Sequence, residues 1–339
     1  MVRRVLVFVA TCAAAAGGAL AIASGCQSSP PGLPTDASAT PILLPGATPT
    51  DLHFSPALNR VLVPGGTTGK VFLVDGRTFE ITSVDGFASP TSVDEASGSL
   101  LIADGASREI LVASPIDGHV LARAALHGAP ALVRSIVVSN EVWVTEPSDH
   151  RIEVFRVEKT TPPTIALRAT IDTPSQSLVA DGTRARVYTN AGGGMTASLD
   201  AFLHTTIESW PSGCVGAGAG ADGLALDEGR GILFVACDDG TITLLDPANH
   251  GALLGTFADG AGVVAIDYSA LLGHVYVAFR QGGVDIAELS LDGGLNPIER
   301  LPSGAHLACL AAHGGQMFLC DFTGGKLVTV PDLHGGIDF

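Results

Sequence analysis

Basic side chains are scarce in this sequence: 18 lysines and arginines stand against 34 aspartates and glutamates, a formal net charge of −16. A surface with that balance repels phosphate backbones and anionic lipid headgroups, which excludes nucleic acid as a partner. Two tryptophans and three tyrosines are too few for an aromatic sugar-stacking surface. The motifs Gly-x-Ser-x-Gly, His-Glu-x-x-His and Cys-x-x-Cys-His are all missing, so no serine hydrolase, zinc protease or haem-attachment site can be read. No stretch keeps a helical period. Long apolar runs are limited to residues 5–22, diluted by Thr11 and two glycines.

What is present is a repeat. Short apolar runs centred on Val63, Ile102, Val144, Tyr188, Val235, Val277 and Leu319 recur at intervals of 39, 42, 44, 47, 42 and 42 residues. Each is followed by a second, alternating run, centred on Phe72, Leu111, Val154, Ala197, Leu244, Ile286 and Val328. A period near forty that carries several short strands predicts one propeller blade per repeat. Forty-two glycines and twenty prolines supply the turns. The predicted fold is therefore all-β, a seven-bladed β-propeller over residues 41–339. After the seventh repeat only "PDLHGGIDF" remains, whereas "PILLPGATPTDL" near the start resembles "PIERLPSGAHLACL" at 297–310. Residues 42–44 are thus expected to form the outer strand of the last blade, closing the ring and removing exposed strand edges.

The first 26 residues have two arginines, an apolar stretch, then small residues before Cys26, the layout of a secretory signal. "Ala-Ser-Gly-Cys" at 23–26 resembles a bacterial lipobox, with Ala23 where that pattern carries leucine. The resemblance implies cleavage after residue 25, lipidation of Cys26 and, with Gln27 rather than aspartate following, outer-membrane retention. The expected mature chain keeps 16 basic and 34 acidic residues. Residues 26–40 are polar and proline-rich and read as a disordered tether. Beyond Cys12 and Cys26 four cysteines remain, which in an exported protein read as two disulfides. Cys309 and Cys320 flank a hairpin turn almost symmetrically. Cys214 and Cys237 border blade 5 on one face. The expected pairs are Cys214–Cys237 and Cys309–Cys320. A zinc site from His306, Cys309, His313 and Cys320 matches no standard finger spacing.

"VYTN" at 187–190, "VWVTE" at 142–146 and "VYVAF" at 275–279 resemble the YVTN-type propeller repeat, and through it NHL-repeat and lactonase-like propellers. The repeat concerns strand packing and brings no catalytic residue. Two residues beyond the anchors stand Asp104, Glu146, Asn190 and Asp321, at strand ends that a propeller gathers on one face. Converging there, they would suit calcium as a cofactor, since it prefers oxygen ligands. The same groups also commonly cap β-turns. "GAGADG" at 218–223 lies between strands and reads as a loop, without the helix that a dinucleotide site needs. Trp143 is expected to pack between blades, and Trp210, at an outer-strand end, to be an exposed interface residue. The expected function is a non-catalytic, membrane-tethered, monomeric propeller that binds an envelope protein or a small molecule through its channel-mouth face. The alternative implied by the resemblance is a metal-dependent lactonase-like hydrolase.

Overall fold

The computed structural model describes residues 39–158, 160–214, 223–258, 262–290, 294–301 and 306–334. The expected signal segment, Cys26 and most of the tether lie outside the described residues, as does 218–222 of the glycine-rich loop. The described strands form seven four-stranded antiparallel sheets. In chain order these blades span 53–85, 90–125, 132–172, 178–211, 224–258, 263–301 and 307–331. Each anchor falls on the second strand of its blade and each alternating run on the third. Three of the anchor pairs are direct cross-strand partners: Val63 with Phe72, Ile102 with Leu111, and Leu319 with Val328.

The reason the repeat was visible is burial. Second and third strands are covered on both faces, as in Glu141–Glu146 and Lys70–Asp75, so they read as apolar runs. Outer strands such as Ile81–Asp85 keep one side in water and are more polar. The core is therefore divided among the seams between blades. One cluster joins Phe234 and Ile242 of blade 5 to Val275 and Val277 of blade 6. Another joins Trp143 of blade 3 to Leu178 and Val187 of blade 4, as expected for that tryptophan.

Inner strands touch in sequence around the axis, and that of blade 1 also touches that of blade 7. The ring is closed by Thr40–Leu43, which pairs antiparallel with Lys326–Pro331, the third strand of blade 7, in the register Thr40 to Thr329 and Leu43 to Lys326. The Leu44 N–H donates to the Gly325 carbonyl at 2.8 Å. Beneath this pairing, Ile42 and Leu44 share a cluster with Phe54, Val61, Phe318 and Cys320, the seam between the last and first blades.

Both expected disulfides are present, Cys214–Cys237 and Cys309–Cys320, closing sequence separations of 23 and 11 residues. Cys309 and Cys320 are direct cross-strand partners. In this pairing the zinc reading has no free thiols.

The closing strand is testable through two adjacent residues that point to opposite faces. Ile42 is 6% exposed and Leu43 67% exposed. Ile42→Ala is expected to cost about 2–4 kcal/mol in denaturant unfolding, and Leu43→Ala about 0.5 kcal/mol or less. Equal costs would mean that the strand is not seated in this register.

Candidate functional site

The seven inner strands are His53–Ser55, Pro90–Ala96, Leu132–Ile136, Leu178–Asp181, Leu224–Asp227, Val263–Ser269 and Leu307–His313. They surround a cavity of about 350 Å³ on the axis, lined by residues of all seven. Its lining includes Pro56 and His313, beside the turns into the second strands, so its mouth lies on that side of the ring. At the mouth His313 stacks on Phe54, with ring centroids 3.8 Å apart and planes at 13°. The same two side chains border a second cavity of about 440 Å³ between blades 1 and 7.

Counting two residues back from the end of each inner strand gives His53, Asp94, Arg134, Val179, Ala225, Asp267 and Ala311. Four of the seven, His53, Asp94, Arg134 and Asp267, are ionisable, and all seven line the cavity. Asp94 and Asp267 play parallel structural roles. Each accepts a main-chain N–H from the next blade's inner strand: Asp94 from Ser135 at 2.6 Å, and Asp267 from Ala312 at 2.7 Å. These are N–H groups on the free edge of a sheet, where an unpaired donor would be costly. His53, from the blade before Asp94, lies 3.0 Å from that carboxylate. Arg134 reaches Asp51 with contacts of 2.8 and 3.1 Å, and Ser92 donates to the same carboxylate at 2.5 Å. Asp267 is half-buried in the pore wall, and desolvation there pushes its carboxyl up to about 6 against the pull of main-chain N–H groups, His53 and Arg134.

The four expected calcium ligands do not meet. Asp104 accepts main-chain N–H groups of Ala88 and Ser89, which tie the loop from blade 1, and of Ala106 and Ser107 in its own turn. Asp321 accepts from Thr323 and Gly324 within its turn and pairs with Lys326 at 3.3 Å. Glu146 accepts from the Gly128 N–H at 2.9 Å and lies beside Glu153 of its own blade. Asn190 borders a separate cavity of about 340 Å³ with Pro147, His150 and Pro174, and its amide nitrogen is buried with no partner among the described residues. Among the described residues no three histidine, cysteine, aspartate or glutamate side chains are grouped to hold a metal ion. Turn and loop N–H groups occupy the Asp104 and Asp321 carboxylates, whereas Glu146 keeps one carboxylate oxygen buried without a partner among the described residues.

Trp210 is also corrected. It is 4% exposed and packs with Tyr188, Leu224 and Leu233 in the seam between blades 4 and 5. Gly251, at φ +66°, lies so close that a Cβ there would fall 2.0 Å from the indole. The outer-strand end that looked exposed is covered by the following blade's turn.

No protein-family model matches the sequence, and no curated protein matches it. In structure the chain is similar to the β-propeller domain of Myceliophteria thermophila Cps50 (Swd1), with a TM-score of 0.70 at 13% identity over 87% of this chain and 99% of that one. It is similar to BamB from Moraxella catarrhalis, with a TM-score of 0.58 at 15% identity over 84% and 86% of the two chains. A chain of the mitotic checkpoint complex gives 0.71 at 14% identity over 86% and 94%. The likeness establishes a β-propeller. At these identities it establishes the fold alone.

Glu146 provides a pH test. Burial and the adjacent Glu153 carboxylate raise it from the ordinary 4.5 to about 7. The folded protein then holds a proton that the unfolded chain releases above pH 4.5. The resulting stability is present in full below that pH and is lost as pH rises through about 7. Glu146→Gln is expected to remove this slope and to be roughly 2 kcal/mol more stable than the parent at pH 8 in urea unfolding. Parallel pH profiles for the two proteins would show that Glu146 ionises freely.

Proposed function

We propose that this chain is a membrane-tethered propeller of a bacterial envelope, which binds a protein or small ligand in its pore without acting on it chemically. The observation that carries the reading is the layer of His53, Asp94, Arg134 and Asp267 in a cavity to which every blade contributes. Ligand sites are concave and mostly apolar, with a few convergent polar groups, and this cavity has that character. The binding face differs from the one expected at the sequence level. The strand-start face has its carboxylates committed to turns, whereas the pore mouth lies where the inner strands end.

The tether part of the reading rests on the first 27 residues, on a lipobox-like "Ala-Ser-Gly-Cys", and on two disulfides that suit an oxidising compartment. The closing strand runs antiparallel to the third strand of blade 7, so Thr40 lies toward the pore-mouth side. A tether of fourteen residues has a reach of about 20 Å, which leaves space for a partner between the mouth and the bilayer.

Two measurements test this. Cys26→Ser is expected to move the protein from the membrane fraction to the soluble one and to abolish incorporation of a fatty-acid label. A photo-crosslinking residue at position 313, on the pore-mouth side, is expected to give discrete adducts in cells, and one at position 323, on the opposite face, none. Adducts from 323 alone would place binding on the other face and overturn the pore reading.

A further inference from the structure

The pore contains the same clamp twice, once complete and once lacking a component. In blade 2, Asp94 accepts the Ser135 N–H of the next blade and is also met by His53, which stands at the same level in the preceding blade. In blade 6, Asp267 accepts the Ala312 N–H of the next blade, but the preceding blade places Ala225 at that level. The remaining contact of Asp267 is the N–H of Tyr268 at 2.8 Å. Arg134 is held by Asp51, and His53 by Asp94. Among the described residues the hydrogen-bond donors to Asp267 are main-chain N–H groups, while His53 and Arg134 act on it electrostatically, each already held by another carboxylate. Its flanking residues in the layer, Ala225 and Ala311, have the smallest side chains there, and the cavity reaches it between them.

We propose that the pore takes up the cationic side chain of a partner protein, a lysine or arginine, whose head pairs with Asp267 in the place that His53 fills for Asp94. This rests on the pore being the binding site. The walls suit the stem of such a side chain. Phe54, Ile136, Leu226 and Tyr268 line the same cavity and offer apolar surface to a methylene chain. The mouth also favours a ligand carried on a protein. The turns that follow the inner strands of blades 3 and 6 expose Val137 (85%) and Leu271 (72%), three blades apart around the opening. Exposed apolar residues around a charged pocket are a setting in which a buried polar anchor contributes to binding. A formal charge of −16 would draw a basic segment toward the protein.

The test is calorimetric titration of the whole folded chain with three capped tripeptides, Gly-X-Gly, in which X is lysine, norleucine or glutamate. The lysine peptide is expected to bind at least about tenfold more tightly than the norleucine peptide, and the glutamate peptide most weakly. In Asp267→Asn the lysine preference is expected to fall to about twofold or less. Should that variant lose its fold, Ala311→Leu keeps the carboxylate but fills the space beside it, and is expected to lose lysine binding. Norleucine binding as tight as lysine in the parent, or an undiminished preference in the variants, overturns the cation assignment while leaving the pore as a binding site. Failure of all three peptides to bind overturns both.

Discussion

The pairing of Thr40–Leu43 with the third strand of blade 7 is the contact on which the rest of the molecule depends. A blade has two apolar faces and covers neither by itself, so all seven seams must form together. Six of these seams join blades that follow one another in the chain. The seventh joins the last blade to the first, and without the closing strand it would rest on side-chain packing alone. The same seam contains Cys309 and Cys320 beside Leu44, Phe54 and Phe318. A disulfide there restrains the blade in which the chain's two ends meet, and native disulfides of this kind typically contribute about 2–4 kcal/mol.

Closing the ring creates a second requirement at its centre. The inner strand of every blade is a sheet edge with unpaired main-chain groups facing the pore. In blades 2 and 6 a carboxylate of one inner strand accepts the N–H of the next, and Ser92 does the same for Val133 at 2.9 Å. The pore acids thus join blade to blade before any ligand is considered. Their burial still has an electrostatic cost, which the structure offsets with His53 for Asp94 and Arg134 for Asp51. Around Asp267 the same cost is met only in part, which is why its carboxyl stays raised.

The architecture was legible because double-sided burial writes itself into sequence as apolar runs forty-odd residues apart, and the turn between Cys309 and Cys320 made their pairing a matter of counting. The site was not legible in that way. Its four ionisable members come from separate blades, and each sits among other polar residues in a short segment, "DLHFS", "SVDEA", "LVRSI" or "AIDYS", with nothing to single it out. The signal becomes visible only when inner strands are aligned at their ends, which requires knowing where each strand stops. Asp104 and Asp321 stand out in the sequence instead, as acids that end apolar strands. Those positions are where main-chain N–H groups of a turn need an acceptor, and the turn claimed them. Trp210 misled for a related reason, since its cover comes from Gly251, a residue of the next blade.

The turns and the pore therefore use an acidic composition differently. Many carboxylates are committed to turns and remain ionised there: main-chain N–H groups of Thr78 hold Asp75, and those of Leu203 hold Asp200, below the usual carboxylate range. Such groups stay charged near neutral pH but have little capacity to bind anything further, so they contribute a long-range field rather than a site. Within the pore the balance is reversed. Few ionisable groups are present, they share one confined layer, and each pairing counts for more than it would at the surface. In the proposed reading, an acidic exterior and a pore carboxylate hydrogen-bonded by main-chain N–H groups act on the same class of partner at two distances, the first on its approach and the second on its retention.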